Sequence, residues 1–438
     1  MSHSAAPPPD TYAAWRNPDF RRYAASWFLL MFSKWVEIVA VAVYIYDQTE
    51  KDPLALGLVG AVQGLPVILL SIGGGQIADR FDRRRVVTLT LLLSTLVCTG
   101  LLALSLAEAS IPKSYLVPAI YTLLGIGAVG MALGGPSRAA LLPQLVEPEL
   151  LANAITWNST VFQIACMSGP AIGGLVLDAF GPPAAFGLAV GCRAVSVLVL
   201  VGVRCRPTAP REQSVSWENL AAGLRFVWGN KMILAALTLD LLAVLIGGLT
   251  YLLPIFAIDI LHVGKSGLGF LRSAEAVGAV CMALLIAHRP PMQRAGRTML
   301  WAVAGFGAAT VVFGFSESFW LSMAMMFLIG AFDNISVVVR HTLVQALTPD
   351  AMRGRVSAVN NVFIVASNDL GGLESGVAAK LFGPLIAVVG GGIGALLVVL
   401  GAAWKWPDLL RIGSLQSLKP IELAEVREAA DDELAARG

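Results

Sequence analysis

The strongest constraint on this chain is a succession of apolar runs about twenty residues long, enough for one helix to span the ~30 Å hydrocarbon layer of a bilayer. Hydropathy read along the chain places twelve of them, at roughly 21–46, 54–78, 86–107, 114–136, 151–177, 183–203, 231–256, 266–287, 298–315, 319–339, 355–379 and 383–405. Of 438 residues, 56% are hydrophobic and only 14% charged, with a mean hydropathy of +0.73, a balance foreign to soluble domains. The expectation is an all-α integral membrane protein of twelve transmembrane helices. An even number of crossings returns the chain to its starting side. Of the 31 Lys and Arg, 24 fall on the side of the termini, four (Lys51, Lys113, Lys265 and Lys380) on the opposite side, and three (Lys34, Arg193 and Arg272) inside the runs. By the positive-inside rule both termini are expected to be cytoplasmic.

The one long polar stretch between runs, "RCRPTAPREQSVSWENLAAGLRF", separates the sixth from the seventh and reads as a linker with a short surface helix from Trp217. The expected organisation is a bundle over 1–205, a cytoplasmic linker over 206–230, a second bundle over 231–406 and an acidic, amphipathic cytoplasmic tail over 407–438. The bundles repeat one another. Arg138 matches Arg340, Leu141 Leu343, Leu145 Leu347, Asn158 Asn360, Gly169 Gly371, Gly174 Gly376, and Phe180-Gly181-Pro182 matches Phe382-Gly383-Pro384, each at an offset of 202. Runs four and five therefore correspond to runs ten and eleven in the same direction, as in transporters built from two parallel six-helix bundles with a site between them.

Several function classes are excluded. The five cysteines are scattered without a CxxC pair and read as reduced packing residues. The four histidines lack ligand spacing, so no metal site is expected. The first run is too long, and its leader too polar and proline-containing, for a secretory signal peptide. No GxxxxGK[ST] phosphate loop, Ser/His/Asp constellation or HExxH motif is present, so neither an ATP-driven pump nor an enzyme is expected, and no cofactor or nucleic-acid partner.

After the second run comes "GGQIADRFDRRRV". Asp79 stands at a helix carboxyl end, where the macrodipole disfavours an anion. It calls for a partner, and the start of the eleventh run, "MRGRVSAVNN", offers free N–H groups with Arg353 and Arg355. Gly73, Gly74 and Gly75 would let backbones approach there, giving a cytoplasmic latch. The loop resembles the signature of the major facilitator superfamily, G-x-L-a-D-r-x-G-r-k, through Gly75, Ile77, Ala78, Asp79, Arg80, Arg83 and Arg84, with Asp82 in place of the second glycine. "DPLALGLVG", "RAALLPQLV", "GPAIGG" and "RGRVSAVNNVF" resemble the branch with bacterial macrolide and enterobactin exporters. A simpler reading, in which these arginines only fix topology, uses the same residues. In run five, "ACMSGPAIGG" is similar to the antiporter motif of drug/proton exchangers through Gly169, Pro170, Gly173 and Gly174, with Ala165 in place of its first glycine. As physics alone it is a small-residue packing face bent at a proline.

Ionisable groups inside the spans mark coupling or substrate sites, because a charge buried in the membrane costs a few kcal/mol. The candidates are Lys34 with Glu37 and Arg272 with Glu275, each three apart and able to pair, then Asp240, Asp333, Asn360, Asp369 and Glu374. Asp240 has no basic residue within a turn on its own helix, which makes it the sharpest proton-carrier candidate. Arg138 and Arg340 read as cations at helix carboxyl ends, or as partners of acids in the signature loop. The resemblance implies a monomeric proton antiporter of the bacterial cytoplasmic (inner) membrane, exporting amphipathic drug-like or siderophore-like small molecules amid membrane lipids. A lysophospholipid translocator on the same fold and a non-transporting sensor or scaffold are the alternatives.

Overall fold

The computed structural model describes residues 10–205, 217–290 and 292–414, without the side chains of residues 71–76, 78, 79, 217–220 and 351. Among the described residues every regular element is helical: α1 Pro18–Gln48, α2 Pro53–Arg80, α3 Arg83–Leu106, α4 Lys113–Leu141, α5 Leu151–Val201, α6 Trp217–Gly229, α7 Lys231–Ile246, α8 Leu249–Ile255, α9 Gly264–Ala287, α10 Ala295–Gly314, α11 Phe319–Leu347, α12 Arg353–Phe382, α13 Pro384–Lys405 and α14 Pro407–Arg411. Helices satisfy their own backbone groups, which an apolar solvent demands. Several starts are set by side chains. Asn17 accepts from the N–H of Asp19 at 2.9 Å and Phe20 at 3.3 Å with Pro18 in the first turn, Asp52 accepts from Leu54 at 3.0 Å ahead of α2, and Asn230 accepts from Met232 and Ile233 ahead of α7.

Ten helical stretches among the described residues are long and apolar enough to cross a membrane, against twelve expected. The difference lies in two places. α5 runs 51 residues but breaks at Gly181, whose φ of 79° is outside helical space, so it holds two arms, 151–180 and 182–201. α12 is 30 residues long, but Asn360, Asn361, Asn368, Asp369 and Glu374 dilute its apolar character.

The internal repeat is visible in the backbone. Gly383, at an offset of 202 from Gly181, also has a positive φ, 90°, and both precede a proline that opens the next helical segment. Packing repeats as well. A Cβ at Gly169 would lie 3.1 Å from the Phe32 carbonyl oxygen of α1, and one at its counterpart Gly371 2.9 Å from the Leu245 carbonyl oxygen of α7. At Gly174 it would lie 2.8 Å from the Lys265 carbonyl oxygen and 2.9 Å from Gly269 Cα, and at Gly376 2.8 Å from Gly57 Cα and 3.0 Å from the Pro53 carbonyl oxygen. Thus α5 sits between α1 and α9, while α12 sits between α7 and α2. Each half lends one small-residue helix to the other, and the glycines of the antiporter-like motif are what allow it.

Candidate functional site

Two cavities meet near the centre. One of about 360 Å³ follows α1, α3 and α4 and is walled by Tyr23, Trp27, Met31, Met131 and Arg138. The other, of about 260 Å³, lies between α1 and α2 on one side and α7, α8, α9, α11 and α12 on the other, and is lined by Tyr251, Arg272, Glu275, Asp333 and Asn368. Lys34, Ile38, Gln63 and Asp369 line both, so the two spaces join at that level. The first will be called the amino cavity and the second the central cavity.

The charged residues singled out from the sequence converge here, but with other partners. Glu37 does not pair with Lys34. Arg193, from the second arm of α5, reaches Glu37 Oε2 at 2.7 Å, Ser33 Oγ at 3.2 Å and the Ser94 carbonyl at 2.9 Å. A planar guanidinium arriving from a facing helix meets three acceptors together, which a lysine one turn away cannot do. Lys34 is left with Met131 Sδ at 2.9 Å and faces both cavities.

Nor do Arg272 and Glu275 form an ion pair among the described residues. Arg272 donates instead to the Thr250 carbonyl at 2.9 Å. The reason is covalent. Pro254, four residues beyond Thr250, has no N–H, so the helical bond to that carbonyl is missing and the arginine supplies it. Glu275 and Asp333 line the central cavity with no ion pair to a described residue. Their helices touch backbone to backbone nearby, since a Cβ at Gly330 would lie 2.7 Å from the Glu275 carbonyl carbon.

Asp240, expected to stand alone, is held. Arg340 Nε lies 3.4 Å from its Oδ2, Ser336 donates to its Oδ1 at 3.1 Å, and Arg340 also donates to Asn360 Oδ1 at 2.8 Å. Arg340 is 2% exposed. It is therefore the buried centre of a network across α7, α11 and α12, and not a cation at a helix end. Its repeat-mate Arg138 also lies inside the bundle, on the wall of the amino cavity, with its guanidinium carbon 5.0 Å from the centre of the Trp27 ring. Asp369 accepts from Tyr251 at 2.8 Å where the cavities join. Glu374 is exposed, within reach of Ser375 Oγ at 3.2 Å, and lines neither cavity.

At the arginine-rich end, the surroundings of Gly75 and the side chain of Asp79 lie outside what is described, although α2 extends to Arg80 and so places Asp79 in its last turn. Arg80 is exposed. Arg83 donates to the Ala140 carbonyl at 3.3 Å and Arg84 to that of Val201, which places cations at the carboxyl ends of α4 and α5. Arg353 pairs locally with Asp350 at 2.9 Å, and Arg355 approaches Met352 Sδ at 3.5 Å.

Sequence reasoning missed the opposite end. All four lysines assigned there meet acids: Lys51 with Asp259 at 2.5 Å, Lys113 with Glu50 at 3.6 Å, Lys265 with Asp47 at 3.6 Å and Lys380 with Asp52 at 2.8 Å. Three of these pairs join the two halves, and Tyr46 also donates to Asp259. The Gly57–Gly376 and Gly174–Gly269 contacts adjoin them, so this end is shut by both charge and packing. The legible signal was that Lys51 and Lys265 stand in the same short turns as Asp47, Asp52 and Asp259.

Residues 10–428 match the profile of the family described as transmembrane secretion effector. The chain is 28% identical over 425 residues to the enterobactin exporter EntS of Escherichia coli O157:H7, covering 96% of each protein. To the same exporter of Shigella boydii serotype 4 it is 28% identical over 384 residues, covering 87% of this chain and 90% of the relative. Among solved structures, a bacterial homologue of the iron transporter ferroportin superposes with a TM-score of 0.70 at 13% identity, over 88% of this chain and 98% of that one. A bacterial homologue of the human lysosomal transporter Spinster gives 0.66 at 15% identity, over 92% and 97%. At these identities the structures speak for the fold alone.

Proposed function

Since the chain belongs to the transmembrane secretion effector family of the major facilitator superfamily, we propose that it is a proton-coupled exporter of siderophore-like small molecules that works by alternating access. Its relatives and fold neighbours are transporters rather than enzymes, and it is a multi-pass membrane protein. In this reading it crosses the inner membrane twelve times, α5 contributing two crossings and the polar α12 one, with both termini in the cytoplasm. The linker expected over 206–230 joins the halves, and its residues 206–216 lie outside the described residues.

The observation that carries the reading is the pair of joined cavities, one inside the amino bundle and one between the two bundles, which are sealed together at the lysine end. That arrangement fits a solute path entered from the arginine-rich side. Rocking the halves would break the three lysine pairs and part the glycine contacts, opening the far side. The Asp79 latch to Arg353 and Arg355 would then hold the cytoplasmic end closed.

Proton coupling falls to Glu275 and Asp333. A carboxyl without a fixed cation can take up and release a proton without breaking an ion pair, whereas Asp240 is committed to Arg340. Arg272, Lys34 and Asp369 face the same space and would respond to the change in charge. In proteoliposomes, Glu275→Gln together with Asp333→Asn should remove the response of export to an imposed pH gradient while the protein stays folded. Export that still follows the gradient at the parent rate would refute this assignment. Transport indifferent to the gradient in the parent itself would favour a lysophospholipid translocator.

A further inference from the structure

The internal repeat exposes a vacancy. In the carboxyl half Arg340 is neutralised by Asp240 and bound to Asn360, and Ser336 completes the set. Offset by 202, the amino half carries Arg138 for Arg340 and Asn158 for Asn360, but Gly134 for Ser336. The acid is missing as well. α1, which packs on Gly169 as α7 packs on Gly371, offers Tyr23, Trp27, Leu30 and Met31 to the cavity beside Arg138, and between Asp19 and Glu37 it contains no acid. Glu37 is itself occupied by Arg193.

The consequences are visible atom by atom. Among the described residues the guanidinium of Arg138 has no ion pair and no hydrogen bond; it lies over the face of Trp27, with Tyr23 close by. Asn158 Oδ1 is buried without a partner, and so is Trp27 Nε1, the indole donor next to the arginine. All three residues line the amino cavity. Buried polar groups are ordinarily satisfied, and here two unsatisfied ones share a cavity wall with a cation that has no acid beside it. A second cation lies farther along the same wall. Lys34 Nζ contacts Met131, and Met131 precedes Arg138 by seven residues on α4, about 10 Å along the helix.

We propose that the amino cavity is an anion-selective aromatic subsite. An acidic group of the ligand, a carboxylate or an ionised phenol, docks on Arg138 in the position Asp240 occupies in the other half. Trp27 Nε1 donates to it, a ligand hydroxyl donates to Asn158 Oδ1, and an aromatic ring lies among Trp27, Met31 and Met131. Arg138 supplies the charge that the carboxyl half provides to itself. The inference deepens the export reading by naming the substrate's chemical class, and it rests on that reading only for the direction in which the ligand moves.

The test uses the full-length chain in nanodiscs and equilibrium binding of three probes of one shape: radiolabelled 1-naphthoate, neutral 1-naphthylmethanol and cationic 1-naphthylmethylammonium. The parent should bind naphthoate at least ~10-fold more tightly than the alcohol and should bind the cation least, since one charge-assisted pair in a partly dry site is worth about that factor. Arg138→Met should erase the preference for the anion while leaving affinity for the alcohol within about twofold, because only the charged contact is lost. Met31→Glu, which installs the missing acid, should do the same by filling the site from within. If Met31→Glu does not fold, Arg138→Met decides alone. A parent without preference for naphthoate over the alcohol, or Arg138→Met binding naphthoate as the parent does, overturns the proposal. The export reading fails differently: the parent would bind naphthoate selectively, yet its proteoliposomes would move none of the probes.

Discussion

The two halves of this protein share a backbone plan and differ in how they treat buried charge. In the carboxyl half, Arg340 is enclosed by Asp240 and Asn360, and Arg272 is used to satisfy the carbonyl that Pro254 strands. In the amino half, Arg193 and Glu37 form one closed pair, while Arg138 and Lys34 face open space. A repeat duplicates positions but not partners: the acid that neutralises Arg340 has no counterpart on α1 between Asp19 and Glu37. The two ends of the molecule differ in a parallel way. Arg83 and Arg84 cap helix ends within one half, whereas Lys51, Lys265 and Lys380 reach from one half to the other.

That contrast can be broken deliberately. The largest effect is expected from Asp240→Ala, which leaves Arg340 buried without an acid and should cost about 3–5 kcal/mol, read as a lowered unfolding temperature in detergent. Arg272→Met comes next. It leaves the Thr250 carbonyl without a donor and should cost about 1–3 kcal/mol. Restoring the helical donor with Pro254→Ala in the same chain should recover part of that loss, which a purely electrostatic role for Arg272 would not allow. The smallest effect belongs to Lys380→Ala. Its pair with Asp52 is half-exposed, so its loss should bias the closed lysine end by no more than ~1 kcal/mol. Cysteine-labelling rates at that end would register the shift, and the difference from the parent should fade in 1 M salt, where charges are screened within about 3 Å.

Much of the architecture was legible beforehand because it is written in local patterns. Run lengths gave ten of the twelve expected spans, and the two Phe-Gly-Pro turns paired by the 202-residue offset both carry a glycine of positive φ, Gly181 and Gly383. Side-chain pairing was not legible in the same way. Spacing along one helix placed Lys34 near Glu37 and Arg272 near Glu275, but in a bundle the competing partner comes from another helix, as Arg193 does for Glu37. Arg340 was misread for the same reason, since its depth depends on α7 and α12 closing over it. Arg272 is the case where more could have been read, because a proline four residues after Thr250 announces an unpaired carbonyl. The lysine end was read only as topology, yet Asp47, Asp52 and Asp259 stand in the turns of Lys51 and Lys265.

The contrast between the halves is tested most directly by making one substitution at both repeat-mates and comparing thermal unfolding of the two purified variants without ligand. Arg340→Met should lower stability by about 3–5 kcal/mol, because Asp240 is left as a buried, uncompensated charge. Arg138→Met removes a cation that answers no acid among the described residues and should change stability by less than about 1 kcal/mol. Equal losses at the two positions would mean that Arg138 already has its partner within the chain, and the difference between the halves would be void.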